Sequence, residues 1–78
     1  MKELLTHIVK SILDQGDKVV IDEKETDGVV EFTIHVPQEE IGKLIGKEGK
    51  VIRSIRTVVR ILAIKEHKKI HINLVELA

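Results

Sequence analysis

The segment Ile41 to Arg56, IGKLIGKEGKVIRSIR, holds the residues best suited to binding chemistry, with three glycines among aliphatics and five basic side chains in sixteen residues. Glycine permits positive φ and lets a second backbone approach closely. Gly46 and Gly49 therefore predict a tight turn between two helices, where the unpaired amides of the second helix also lie. Lys47 and Lys50 would neutralise an anionic backbone held at that turn.

Closely spaced glycines also occur in three other kinds of loop, which differ in the exact spacing and in the residues around the glycines. A plain helix–turn–helix connection would need them only for turn geometry, and this alternative stays open. A P-loop is excluded, because Gly42 and Gly46-Lys47 lie too close together and Glu48 occupies the position that requires Ser or Thr. A dinucleotide-binding loop is excluded, because these glycines follow a helical pattern and not a strand.

Catalytic and metal-binding patterns do not rise above background in this sequence. The chain has no cysteine and so lacks disulfides and thiolate ligands. His35 and His71 could approach each other if their strands are neighbours, but two histidines without a third ligand favour solvated side chains over a metal site. No carboxylate pair, and no nucleophile with a base, stands out. We expect a protein that is not an enzyme and has no metal site and no cofactor.

Charge is unevenly distributed along a neutral chain. Thirteen basic and thirteen acidic residues cancel, so net charge does not support nucleic-acid binding. The acids concentrate between residues 14 and 31 and at Glu39 and Glu40, whereas Gly42 to Arg60 contains one acid, Glu48. The basic residues of that stretch, with Lys65 just beyond it, are Lys43, Lys47, Lys50, Arg53, Arg56 and Arg60. This asymmetry points to the glycine segment.

Hydrophobic periodicity predicts the elements that position this segment. A first amphipathic helix, which Gly16 can end, presents Leu4, Leu5, Ile8, Val9, Ile12 and Leu13 on one face. Residues 18–36 alternate as a hairpin with a turn at Asp27-Gly28, and Pro37 ends its second strand. A short helix with Glu39 and Glu40 in its first turn precedes the glycines, and a longer helix and a closing strand follow at about 50–65 and 68–77. The order α-β-β-α-α-β predicts one α+β domain over residues 1–78.

The helix after the glycines is expected to present three surfaces. Its core arc comprises Val51, Ile52, Ile55, Val58, Val59, Leu62 and Ala63. Arg53, Arg56 and Arg60 lie on the opposite side, and the first two are nearer the glycines. Ile61 and Ile64 fall outside the core arc. They either pack beneath the closing strand or the connection before it, EHKK at residues 66–69, or form a candidate dimer surface with Ser54 and Thr57.

The glycine segment resembles the signature of KH domains, in which Ile-Gly-x-x-Gly joins two helices. The element order matches the type II form, and the whole chain is similar to the small bacterial single-KH proteins of the KhpA (YlqC) family. This resemblance implies a three-stranded mixed sheet with three helices on one face. It also implies a groove for about four nucleotides of single-stranded RNA, or of single-stranded DNA.

The resemblance assigns the binding residues by position. They are Ile41, Gly42, Lys43, Leu44, Ile45, Gly46, Lys47, Glu48, Gly49, Lys50, Ile52, Arg53 and Arg56. KH domains hold bases by aliphatic contacts and edge hydrogen bonds, which agrees with a chain that has one Phe and no Trp or Tyr. Glu48 would partly cancel the charge of Lys47.

The resemblance further implies an RNA chaperone or post-transcriptional regulator that influences cell growth, shape and division. Its implied partners are RNA and either a second copy or a larger KH protein of the Jag (KhpB) type. We expect a cytoplasmic location and no membrane insertion, because no apolar run approaches the roughly 18 residues of a span. The alternative is a KH-fold protein-interaction module with weak or lost nucleic-acid binding, which zero net charge, Glu48 and the two isoleucines favour.

Overall fold

The computed structural model describes residues 1–77 as an α+β fold in which helices and strands follow the predicted order. These elements are α1 (Lys2–Ile12), β1 (Val20–Thr26), β2 (Val29–Pro37), α2 (Ile41–Ile45), α3 (Lys50–Lys65) and β3 (Lys69–Leu77). The predicted fold class is therefore confirmed. Ala78, the last residue of the predicted domain, lies outside the described residues.

The three strands form one mixed sheet with β2 at its centre. β1 pairs antiparallel with β2, and β3 pairs parallel with it. The hairpin turns at Asp27 and Gly28, whose φ values of 50° and 78° are the positive pair that a tight two-residue turn of type I′ requires. β3 is an edge strand, so within residues 1–77 one side of its backbone has no strand partner.

One face of the sheet packs against the helices and forms the core. Every second residue of β2 is buried on this face: Val30, Phe32, Ile34 and Val36. The helices contribute buried aliphatic side chains from all three segments: Leu5, Val9, Leu44, Ile55 and Val59. The strict alternation along β2 confirms the predicted strand, and it places the three helices together on one side of the sheet.

The first helix ends earlier than predicted. α1 stops at Ile12, and Leu13 is already extended with φ −95° and ψ 146°. Gly16 does not end the helix but is buried in a single 3₁₀ turn, Gly16–Lys18. A Cβ atom at Gly16 would lie 3.1 Å from Lys10 Cα, so any side chain here would have to displace Lys10 of α1 by a few tenths of an ångström.

Val58 departs from the predicted core arc of α3. It is 43% exposed, whereas its neighbour Val59 is fully buried. Successive residues of an α-helix lie about 100° apart, so Val58 is at the margin of the arc that the sheet covers. The side of α3 that faces α1 therefore keeps an apolar surface open to solvent.

Candidate nucleic-acid interface

The turn between α2 and α3 has an unusual backbone. Three of its residues have positive φ: Gly46 (φ 74°, ψ 177°), Glu48 (φ 57°, ψ 25°) and Gly49 (φ 76°, ψ 16°). The Gly46 conformation is almost restricted to glycine. A Cβ atom at Gly46 would also lie 2.3 Å from Val51 Cγ2. The Gly49 N–H donates to the Gly46 carbonyl at 3.2 Å, which closes the tight turn that the sequence predicts.

This turn leaves bare backbone open to solvent. A Cβ atom at Gly42 would meet nothing within 4 Å, and one at Gly49 would meet only the Arg53 guanidinium at 4.0 Å. α3 begins directly after the turn without a side-chain cap, so its first amides have no side-chain acceptor. These amides and the positive end of the helix dipole face the same open space. The arrangement suits an extended anionic ligand.

Cationic side chains surround the turn. Lys47 and Lys50 are exposed, and the Arg53 Nη2 atom donates to the Glu48 carbonyl at 3.2 Å. Arg56 is half-buried one turn further along α3. Among residues 1–77, none of these four side chains forms an ion pair within 4.0 Å. Their charges are therefore not offset by a partner in the protein, although the exposed Glu48 stays nearby.

Glu40 anchors the opposite end of α2, and sequence analysis missed this role. Its side chain is buried, with 2% of the residue exposed. Its carboxylate accepts the Asp14 N–H at 2.7 Å and the Gln15 N–H at 3.1 and 3.0 Å. These bonds satisfy the amides that follow α1 and fix α2 to that segment. We expected Glu40 in the first turn of this helix, and nothing in its local sequence distinguishes it from the exposed Glu39.

Two predicted binding residues belong to this anchored region instead. The Lys43 ammonium donates to the Asp14 carboxylate and lies 3.7 Å from Glu40 Oε1. The hydrogen bond with Asp14 raises the pKa of Lys43 above its ordinary value. Leu44 is fully buried in the core. Lys43 is thus already paired, and Leu44 has no exposed surface to offer a ligand.

α3 lies against the edge strand β3, and we call the surface along this contact the groove between α3 and β3. Ile45, the last residue of α2, is 39% exposed, and Ile52, in the first turn of α3, is half-buried. The Lys69 N–H bonds to the Gly28 carbonyl at 2.9 Å, so alternate residues from Lys69 pair with β2. The main-chain groups between them, at Ile70, Ile72 and Leu74, face the free edge. The groove thus combines aliphatic surface with backbone donors and acceptors.

The structure leaves Ser54, Thr57, Ile61 and Ile64 exposed on α3, where Ser54 and Ile64 line different pockets. Ser54 lines an apolar groove of about 440 Å³ between α1 and α3, next to Ile8 and Val58. Ile61 is 53% exposed, so it does not pack beneath the closing strand as one alternative expected. Ile64 is 64% exposed and instead lines a pocket on the β3 side. The Thr57 hydroxyl is exposed and donates to the carbonyl of Arg53 within its own helix at 3.0 Å.

The suggested approach of His35 and His71 is wrong. Their strands are neighbours, but His71 pairs with Glu31 and His35 pairs with Val75. The two histidines are therefore four positions apart in register, or about 13 Å. His35 Nε2 instead lies 2.9 Å from an Asp22 carboxylate oxygen. Within residues 1–77, no group of three potential ligands could hold a metal ion, and no helix is both long and apolar enough to cross a membrane.

Comparison with known proteins identifies this arrangement of turn, helices and edge strand. The family model described as the KH domain of KhpA and KhpB matches residues 2–74. The chain belongs to the KhpA/KhpB KH-domain family. This membership confirms the resemblance carried by the glycine segment, and it confirms the expectation of a protein that is not an enzyme, because the family is a non-enzymatic one.

Curated members of the KhpA/KhpB family resemble the chain over almost its full length. The proteins named RNA-binding protein KhpA from Listeria monocytogenes and Clostridium perfringens are 38% and 39% identical over 76 and 75 residues. These matches cover 97% and 96% of this chain and 100% of each relative. The protein of the same name from Chlamydia trachomatis is 34% identical over 76 residues, or 97% of both chains.

Proposed function

We propose that this protein binds single-stranded RNA through the Gly46–Gly49 turn and the groove between α3 and β3. The observation that carries the proposal is the turn itself. In this turn, glycine backbone lies next to the start of α3, which has no side-chain cap. The turn also carries Lys47 and Lys50, which have no ion-pair partner among residues 1–77. Membership of a family whose curated relatives are named RNA-binding proteins supports the same conclusion.

In this proposal, each part of the site has a separate task. The sugar–phosphate backbone lies on the turn, where amides and cations stabilise phosphate charge. About four bases lie in the groove on the exposed aliphatic surface of Ile45 and Ile52. The free edge of β3 offers main-chain groups to the edges of those bases. Recognition by aliphatic contact fits a chain with one aromatic residue, because stacking on a row of aromatic side chains is not available.

The variant that tests this proposal replaces both central residues of the turn, Lys47→Asp with Glu48→Asp. We expect RNA affinity to fall at least about tenfold, because the variant removes a cation beside the phosphates and introduces a repulsive charge. The matched control, Glu23→Asp with Lys24→Asp, makes the same chemical changes on exposed residues of β1. Equal RNA affinity of the two double variants, with both folded, would contradict the proposal. A parallel titration with DNA of the same sequence shows whether the ribose matters.

At the cellular level, we propose a cytoplasmic RNA chaperone or post-transcriptional regulator acting on growth, shape and division. Support comes from family membership and from a site that contacts backbone more than base. Such a site favours modest sequence preference, because phosphate contacts carry no sequence information. Deleting the gene and comparing RNA abundance and cell dimensions with a strain that carries the Lys47→Asp, Glu48→Asp variant tests this role. Normal cells in both strains would oppose it.

A second candidate function, pairing with another KH domain, is favoured by the apolar groove between α1 and α3. Val58, which lines this groove, and Ile61, about one turn further along α3, are 43% and 53% exposed. A second copy, or a Jag (KhpB)-type protein, would cover this apolar surface. We expect Ile61→Asp to convert a dimer to a monomer in sedimentation velocity and Ile64→Asp, on the β3 side, to leave it intact. A monomeric parent protein that also fails to bind such a partner would exclude the pairing.

A further inference from the structure

A pocket at the far end of α3 is not used by the four-nucleotide groove. It has a volume of about 280 Å³ and lies between the last turns of α3 and the start of β3. Its lining residues are Arg60, Ile64, Lys68, Lys69, Ile70 and His71. The two isoleucines provide an apolar floor, and the four other residues can each donate a hydrogen bond. The pocket thus carries only donor-bearing and apolar side chains and no carboxylate.

The charge in this pocket is only partly offset. The Lys68 ammonium donates to Glu25 Oε1 at 2.9 Å, and this hydrogen bond raises the pKa of Lys68. Among residues 1–77, Arg60 and Lys69 have no ion-pair partner within 4.0 Å. Both are exposed, as is His71. Two cations without a partner and a histidine donor around an apolar floor are complementary to a phosphate attached to a sugar.

The pocket is continuous with the proposed RNA path. Arg53, Arg56 and Arg60 follow one another on the same side of α3, from the glycine turn to the pocket. Lys50 and Arg60 are separated by about 15 Å of helix. A stacked strand advances about 3.4 Å per nucleotide, so four nucleotides starting at the turn reach the pocket. At the pocket, the Ile70 main chain also faces the free edge of β3.

We infer that this pocket binds the phosphate and ribose of the nucleotide that follows the four in the groove, so that the RNA site extends along the whole of α3. This inference rests on the proposed function, because it extends the same bound strand. Arg60 and Lys69 contact the phosphate, His71 donates to a phosphate or ribose oxygen, and Ile64 and Ile70 contact the ribose. The exposure of Ile64 then belongs to RNA binding and not to a dimer surface.

A length series of oligouridylates tests the inference by fluorescence anisotropy. An eight-nucleotide oligouridylate offers about five registers for a four-nucleotide site and so binds about fivefold more tightly by mass action alone, and we expect a gain clearly above that for the parent protein. In the Arg60→Gln, Lys69→Gln double variant, affinity for four nucleotides stays within about twofold and the gain with length falls to about fivefold. The dependence of log affinity on log salt for the longer RNA also falls, by about 0.7 for each phosphate that the variant no longer neutralises.

The matched control is Lys24→Gln with Lys65→Gln, which removes two exposed cations away from the pocket. It should keep the gain with length. Two failures are distinguishable. A parent protein that does not bind four nucleotides contradicts the proposed function. If the parent protein binds four nucleotides but the Arg60→Gln, Lys69→Gln variant shows the same gain with length as the control, the inference about the pocket is wrong and the proposed function stands. Circular dichroism of each variant verifies that the fold is intact.

Discussion

The two ends of the short helix α2 differ in how their polar groups are satisfied. At its start, the buried Glu40 carboxylate accepts two backbone amides, and Lys43 is paired with Asp14. At its end, the Gly46–Gly49 turn has exposed backbone and exposed cations without ion-pair partners among residues 1–77. At one end of α2, the polar side chains are thus hydrogen-bonded or ion-paired within the protein. At the other end, the polar groups face solvent.

In the proposed function, this difference separates structural residues from RNA-binding residues within one motif. Buried polar groups are retained only when they are hydrogen-bonded, so the Glu40 end contributes to stability. Unmatched cations beside positive-φ glycines contribute little to stability, and they suit a ligand with regularly spaced negative charges. Changes at the anchored end should therefore alter unfolding, and changes at the open end should alter RNA affinity.

The largest effect is expected from Glu40→Ala. This change leaves the Asp14 and Gln15 amides without their acceptor, and we expect a loss of about 2–4 kcal/mol in the free energy of unfolding. The control is Glu39→Ala, because Glu39 is exposed and should change stability by no more than about 0.5 kcal/mol. Urea denaturation measures both. Similar unfolding midpoints for the two variants would show that the anchor is not structural.

Gly46→Ala should act on both properties, because Gly46 shapes the open end and touches the core side of α3. The added methyl would approach Val51 Cγ2 to 2.3 Å in a backbone conformation of φ 74° and ψ 177°. We expect about 1–3 kcal/mol of destabilisation together with weakened RNA binding. Gly28→Ala has positive φ but no atom within 4 Å of the new Cβ, so it measures strain without the clash. Equal destabilisation by the two changes would argue against the contact with Val51.

Gly42→Ala should separate stability from binding. The new methyl meets no atom within 4 Å and lies in a helix, so we expect the unfolding free energy to rise by about 0.5–1 kcal/mol. RNA affinity should fall, because the methyl occupies surface that the nucleic acid backbone approaches. Thermal unfolding and anisotropy on the same sample give both quantities. A more stable protein with unchanged affinity would place the RNA away from Gly42.

The smallest effect on RNA affinity is expected from replacing single lysines at the two ends of α2. We expect Lys47→Gln to weaken RNA binding about threefold and Lys43→Gln to change it less, because Lys43 is already held by Asp14. The hydrogen bond with Asp14 raises the pKa of Lys43 above its ordinary value, so this pairing is lost only as pH rises through that raised pKa. Fluorescence anisotropy at pH 7 compares the two affinities. A larger effect at Lys43 would reverse the assignment of the two ends.

Much of the fold could be predicted because its local signals agree. The alternation of Val30, Phe32, Ile34 and Val36 defines the central strand, and Asp27-Gly28 defines the hairpin turn. The spacing of Gly46 and Gly49 between two aliphatic stretches indicated the turn of the site. These features are determined by residues that are close together in the sequence, so hydrophobic periodicity and turn residues predict them directly.

The features that sequence analysis missed depend on contacts between distant segments. Glu40 is separated from Asp14 by 26 residues, and nothing in its local pattern marks it for burial. The role of Gly16 in packing against Lys10 and the exposure of Val58 likewise follow from where α1 lies. Helical projection placed Ile64 outside the core arc, but it could not show that Ile64 lines a pocket beside β3.

The measurement that tests the central claim most directly is an NMR titration of backbone amides with a four-nucleotide RNA at two salt concentrations. We predict shifts that concentrate at Gly46–Arg56 and at Ile70–Leu74 and that weaken as salt rises, while Asp14 and Gln15 stay unchanged. Shifts centred on Ile8, Val58 and Ile61, or no salt-dependent shifts at all, would contradict the assignment of the open end of α2 as the RNA-binding site.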